Sequence, residues 1–191
     1  MMRRPFVFAA VLLLLTAAAG QAHQAQKLAD QPGYVAIESL GLFPTDDLEV
    51  EINIDGPLLN MVAAATKKDD PGFSSVMAGL KSIQVQVYPL KGVDPAGIKT
   101  KIGRAVHLLE EKGWKSTVRV KDKGEETYIY LKQSGGRIDG LTLLSMSPGE
   151  EAVVINIVGR IDPAQLGQLG QNLHVPQLQK VPTQGGAKKS E

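Results

Sequence analysis

No cysteine occurs among the 191 residues of this chain. That excludes a disulfide framework, a thiolate metal site, a cysteine nucleophile and the lipidated cysteine of a bacterial lipoprotein. Histidine is scarce as well: His23, His107 and His174. No two of them stand at a ligand spacing such as i, i+4. No metal and no other cofactor is therefore expected. Charge of either sign is not in excess, with 21 Lys+Arg against 20 Asp+Glu. A near-neutral chain lacks the basic footprint of a nucleic-acid binder, so nucleic acid is not among the expected partners. The Gly-x-Ser-x-Gly elbow of serine hydrolases is missing. The acid pairs Glu110-Glu111, Glu125-Glu126 and Glu150-Glu151 are adjacent residues, which point to different faces of a helix or strand and make no carboxylate dyad. No catalytic residue is assigned.

One long apolar run exists, and it is at the start. Arg3 and Arg4 precede a stretch from Phe6 to Ala19 broken only by Thr16, and small residues follow at Ala18-Ala19-Gly20 and Gly20-Gln21-Ala22. This reads as a secretory signal peptide over 1–22. The run is shorter than the roughly 20 residues that span a bilayer. The expected location is periplasmic or secreted, with no transmembrane segment after signal cleavage. Removing Arg3 and Arg4 leaves 19 basic against 20 acidic residues, a net charge of −1. The remainder divides into a polar, flexible segment over 23–33, a single domain over 34–172, and a disordered tail over 173–191.

Within the domain, Leu48 to Ile54 (LEVEINI) alternates apolar and polar residues, the pattern of a half-buried strand. Asp55 is placed to cap a helix carrying Leu58, Leu59, Met61 and Val62. The stretch Lys67 to Gly72 is a solvated break, Phe73 to Leu80 a short helix, and Ile83 to Tyr88 a second alternating strand. Asp94-Pro95 opens a helix to about Lys112, with Ile98, Ile102, Ala105 and Leu109 forming its apolar stripe and Gly113 ending it. Four strands follow, at 114–121, 126–132, 138–146 and 151–158, and Asp162-Pro163 starts a last helix. The order β-α-β-α-β-β-β-β-α predicts an α+β fold. About six strands form a mostly antiparallel sheet with helices packed on one face, and the first β-α-β unit crosses over right-handed.

Gly92 to Thr100 resembles a phosphate loop superficially, but Ile98 separates Gly97 from Lys99 and belongs to the helix stripe, so a plain helix start is the better reading. Asn156 interrupts the apolar run Val153 to Val158, where it would bond a neighbouring loop or face water. A two-residue turn at Lys123-Gly124 sets a hairpin register. Val120 then faces Thr127, Val118 faces Ile129 and Ser116 faces Leu131 on an inner face continued by Trp114. Lys121 faces Glu126, Arg119 faces Tyr128 and Thr117 faces Tyr130 on the outer face. Arg119, Tyr128 and Tyr130 would form a small exposed patch, the candidate binding site.

Gly113-Trp114, Val118-Arg119-Val120, Tyr128-Ile129-Tyr130, Ile138 to Leu141, Val153 to Gly159 and Ile161-Asp162 together resemble the bacterial domain of unknown function numbered 4252. Glu49 to Leu59 is similar to the same family. The resemblance covers roughly Tyr34 to Asn172. It implies an exported protein of the Gram-negative envelope with no assigned activity, in a family with many lipoproteins, and a role in envelope sensing or stress signalling. The lack of cysteine departs from the lipoprotein pattern. The function expected is a non-enzymatic domain that binds an envelope protein or a cell-envelope polymer. The alternatives are an envelope-component hydrolase or transferase with acids gathered by the fold, and a structural module in an oligomer.

Overall fold

A computed structural model describes residues 28–122 and 124–162. The expected signal peptide, the last helix after Asp162 and the tail lie outside the described residues. Six strands, β1 (Val50–Asp55), β2 (Leu80–Pro89), β3 (Lys115–Asp122), β4 (Glu125–Ser134), β5 (Arg137–Met146) and β6 (Glu151–Ile161), form one sheet in the order β1-β2-β6-β5-β4-β3. Every neighbouring pair is antiparallel. The expected α+β class and antiparallel sheet are both present. Among the described residues no helix is long and apolar enough to cross a membrane.

Three helices join them: α1 (Gly56–Thr66), α2 (Pro71–Gly79) and α3 (Pro95–Glu111). Each starts on an aspartate followed within two residues by proline. Asp55, Asp70 and Asp94 accept hydrogen bonds from the first-turn N–H groups, satisfying donors that a helix start leaves open. The expected right-handed crossover between β1 and β2 is not formed. The break at Lys67–Asp70 divides the connection into two helices, and β2 returns antiparallel beside β1.

The helices also do not share one face. Leu59, Ala63, Val76 and Met77 of α1 and α2 pack with Ile83, Ile129, Leu131, Leu141, Leu143, Ile155 and Ile157 on the first face. On the second face α3 buries its predicted stripe, Ile98, Ile102, Ala105 and Leu109, against Tyr88, Tyr128, Tyr130, Leu144, Met146 and Val154. Val35, Ile37, Leu40 and Leu42 of the N-terminal segment complete this second core. The central strands are therefore buried on both sides.

Asn156 fixes where the N-terminal segment crosses the sheet. It is fully buried, accepts from the Val35 N–H at 3.1 Å, and donates to Gly33 O at 3.1 Å, Leu141 O at 3.3 Å and Thr142 Oγ1 at 3.1 Å. Of its two readings, the loop bond is the one realised. Gly33 lies so close to β5 that a Cβ on Gly140 would stand 2.4 Å from the Gly33 Cα. The described part of the expected flexible segment, residues 28–33, is accordingly anchored: Gln31 accepts from Lys81 Nζ, and Gly33 is buried.

Candidate functional site

The start of β3 decides the fate of the candidate patch. Gly113, at φ 75°, ends α3 with its N–H on Glu110 O at 2.9 Å, and the Trp114 N–H reaches Leu109 O at 3.0 Å. This paired closure seats the indole beside Leu109 in the second core. The register then slips once. Ser116 lies opposite Tyr130, Val118 opposite Ile129, and Thr117 is the extra residue of a bulge. The expected pairs from Val118 to Lys121 all form, whereas Ser116 and Thr117 do not face the residues expected of them. A one-residue slip exchanges faces. Trp114 therefore shares a face with Tyr128 and Tyr130 rather than opposing them.

The patch of Arg119, Tyr128 and Tyr130 is corrected accordingly. Tyr128 and Tyr130 are 6% and 2% exposed, because α3 covers the face that single-sided packing would have left wet. Their hydroxyls are engaged within the fold. Tyr130 donates to Glu110 Oε1 at 3.0 Å, and Tyr128 donates to Glu126 Oε2 while accepting from Arg119 Nη2 at 3.4 Å. Burial, followed by the Glu110 bond, pushes the Tyr130 phenol up to about 12. Burial and Glu126 raise that of Tyr128. Lys121, at 2.7 Å, and then Tyr128 hold the Glu126 carboxyl below its ordinary range. The Arg119 guanidinium lies 5.1 Å from the Tyr128 ring centroid, the cation–π contact the pairing implied. Of the three, only Arg119 remains exposed, on edge strand β3.

The other residues singled out are dispersed. Asp94 caps α3 through Ala96 N and Gly97 N at 3.2 and 3.0 Å, and Ile98 is core, so the glycine loop has no phosphate cradle. His107 is solvent-exposed, 3.5 Å from Glu111. Among the described residues no three His, Cys, Asp or Glu side chains are grouped to hold a metal.

Two surface features emerge that the one-dimensional pattern did not reveal. An open hollow of about 460 Å³ lies where β6 crosses the start of β2, lined by Lys81, Arg137, Arg160, Asp139 and Ser134 among others. Gly79 and Gly159 also line it, and Gly159, at φ 141°, passes so close to Gly79 O that a Cβ there would stand 2.6 Å away. Three cations and one acid give the hollow a positive mouth.

The second feature is the β1 edge. The large exposed apolar side chains gather between residues 50 and 61, with Val50 at 41%, Ile52 at 43%, Leu58 at 41% and Met61 at 62%. Val93 is the remaining one among the described residues. Val50 and Ile52 share the face of Ile54, which packs into the first core, but α1 and α2 leave them uncovered. Beside them runs the free backbone of an edge strand, a ready template for another strand.

The family model described as Domain of unknown function (DUF4252) matches residues 45–169, a span that takes in all six strands and all three helices. No curated protein and no solved structure matches the chain. The sheet, its helices and both edges thus lie within one family match, and the chain belongs to the DUF4252 family of domains of unknown function.

Proposed function

We propose that this protein is an exported, periplasmic, non-enzymatic domain that binds a protein partner along β1 and the adjoining α1, in a role of envelope sensing or stress signalling. The observation that carries the reading is the concentration of exposed apolar side chains at Val50, Ile52, Leu58 and Met61 beside the outer side of edge strand β1. Exposed apolar surface gathered in one place marks interaction sites more often than scattered residues do, and a free edge accepts a strand by backbone hydrogen bonds. Export is supported by the basic, apolar and small-residue series from Arg3 to Ala22. The alternative of a hydrolase with gathered acids gains little from the hollow, where Asp139 is the single carboxylate among the described lining residues.

A photoreactive residue installed as Met61→p-benzoylphenylalanine in growing cells tests the reading. The expected result is a discrete crosslinked protein species in the periplasmic fraction, lost when 1–22 is deleted. No crosslink at this position, or a chain retained in the cytoplasm with 1–22 intact, would sink it.

A further inference from the structure

We infer that the partner at the β1 edge is a second copy of this chain, added head to tail through its β3 edge. This inference rests on the partner-binding reading above and names the partner. The two edges of the sheet carry opposite charge. β1 bears Glu51 and Asp55 and no cation, whereas β3 bears Lys115, Arg119 and Lys121 against one acid, Asp122. On both edges the charged and apolar residues fall on matching faces. Val50 and Ile52 lie on the first face, as do Val118 and Val120 through their partners Ile129 and Thr127; Glu51 and Arg119 lie on the second.

The rows of the sheet set the register. One row runs Glu51, Gln86, Val154, Leu144, Tyr128, Arg119 across all six strands. The row on one side runs Val50, Val87, Val153, Ser145, Thr127, Val120, and the row on the other runs Ile52, Val85, Ile155, Leu143, Ile129, Val118. In these three rows Val50, Glu51 and Ile52 of the β1 edge share a row with their complements at the β3 edge, whereas the row of Ile54 ends at Lys115. The bulges lie outside these three rows. Advancing one copy by the width of the sheet, about 29 Å for six strands at their usual spacing, sets Glu51 opposite Arg119, Val50 opposite Val120 and Ile52 opposite Val118 of the next copy. No shear is needed.

Strand direction and hydrogen-bond phase agree with this. In an antiparallel sheet of six strands the two edges run oppositely, so β1 meets the next β3 antiparallel with like faces on the same side. Hydrogen-bonded and non-hydrogen-bonded pairs alternate along a row. After five internal pairs both edges therefore require the same kind of sixth pair. Such a contact is heterologous, and the twist of the sheet turns successive copies into an open helical array rather than a closed dimer.

The test is sedimentation of the purified full chain over a wide concentration range. The wild-type chain is expected to form a ladder of oligomers. Glu51→Arg and Arg119→Glu should each weaken association by about tenfold, as like charges come to face each other. The double variant Glu51→Arg/Arg119→Glu, and an equimolar mixture of the two single variants, should recover it. Recovery separates a lost contact from a lost fold. A wild-type chain that stays monomeric, single variants that assemble as well as wild type, or no recovery in the mixture would each overturn the inference. A photoreactive residue at position 52 keeps the two readings apart. Crosslinks to another copy support self-assembly, crosslinks only to a different protein overturn it while leaving partner binding intact, and no crosslink at all removes both.

Discussion

Replacing Asn156 by aspartate exchanges one amide for one carboxyl at the point where the N-terminal segment crosses the sheet, and the geometry dictates the outcome. The acceptor role survives, since a carboxyl oxygen still takes the Val35 N–H. The donor role does not survive ionisation. The replaced nitrogen stands 3.1 Å from Gly33 O and 3.3 Å from Leu141 O, so a carboxylate there would set a buried negative charge against two carbonyl oxygens. Burial and those oxygens favour the protonated acid, which raises the folded-state pKa above that of the unfolded chain. Between those values the native state binds more protons than the unfolded state, so stability falls as pH rises, by about 1.4 kcal/mol per pH unit. Below the ordinary aspartate range the variant should match wild type within about 1 kcal/mol, the net worth of one hydrogen bond. Three units higher it should have lost about 4 kcal/mol, a large part of the stability of a domain this size.

Asn156→Ala separates charge from packing. It leaves the buried Val35 N–H without a partner, at about 1–3 kcal/mol, and that cost does not depend on pH. Urea unfolding followed by the fluorescence of Trp114, the lone tryptophan and a member of the same core, reads both variants from acid to neutral pH. A stability difference between Asn156→Asp and wild type that is constant across this range would refute the reasoning.

Three further outcomes follow from the packing and ionisation of the core. Gly140→Ala should cost more than about 3 kcal/mol, since backbone must move away from backbone, whereas Gly92→Ala, at φ 79° with open space around it, should cost only the 1–2 kcal/mol of a left-handed residue; thermal unfolding compares them. Tyr130 protonation contributes stability that is complete below about pH 10 and is lost as pH rises toward about 12; Tyr130→Phe should abolish that loss in alkaline unfolding followed by tyrosinate absorbance. The lowered Glu126 carboxyl contributes stability above the ordinary glutamate range that disappears as pH falls through its folded value, and Lys121→Met should make the acid limb of the urea midpoint shallower.

Periodicity was enough for the elements whose burial is one-sided. LEVEINI alternates because β1 is an edge strand, and α3 shows its stripe because only one side of the helix meets the sheet. The second helix layer is also written in the chain. Thr127 to Leu131 (TYIYL), Leu141 to Leu144 (LTLL) and Val153 to Val158 (VVINIV) are continuous runs on β4, β5 and β6, the signature of strands covered on both faces. A single layer of helices would leave Tyr128 and Tyr130 on a wet face, and α3 is what buries them. The bulge at Thr117 is a different matter, because a single extra residue leaves the apolar pattern unchanged while exchanging every face before it. Edge complementarity between Glu51 and Arg119 requires the strand order, which local pattern does not contain.

Asn156 and the edges are connected by the way the sheet is covered. A segment that lies across a sheet, outside any ladder, must still satisfy its backbone groups. An amide is suited to this, since it both donates and accepts. Its row consists of Asn53, Gln84, Asn156, Thr142, Tyr130 and Ser116, polar or hydroxyl-bearing on every strand. The rows beside it toward Val50 and Val120 carry the α3 core on one face and the uncovered Val50 and Ile52 on the other. With helices on both faces of the central strands and the N-terminal segment pinned over the second, most of the interior backbone is already paired. Among the described residues the unpaired strand backbone is at the outer sides of β1 and β3. Natural sheets guard such edges with charge, and here the guards are of opposite sign in the same row. A charge that repels a like edge attracts its complement, so the same residues that disfavour β1 against β1 favour β1 against β3.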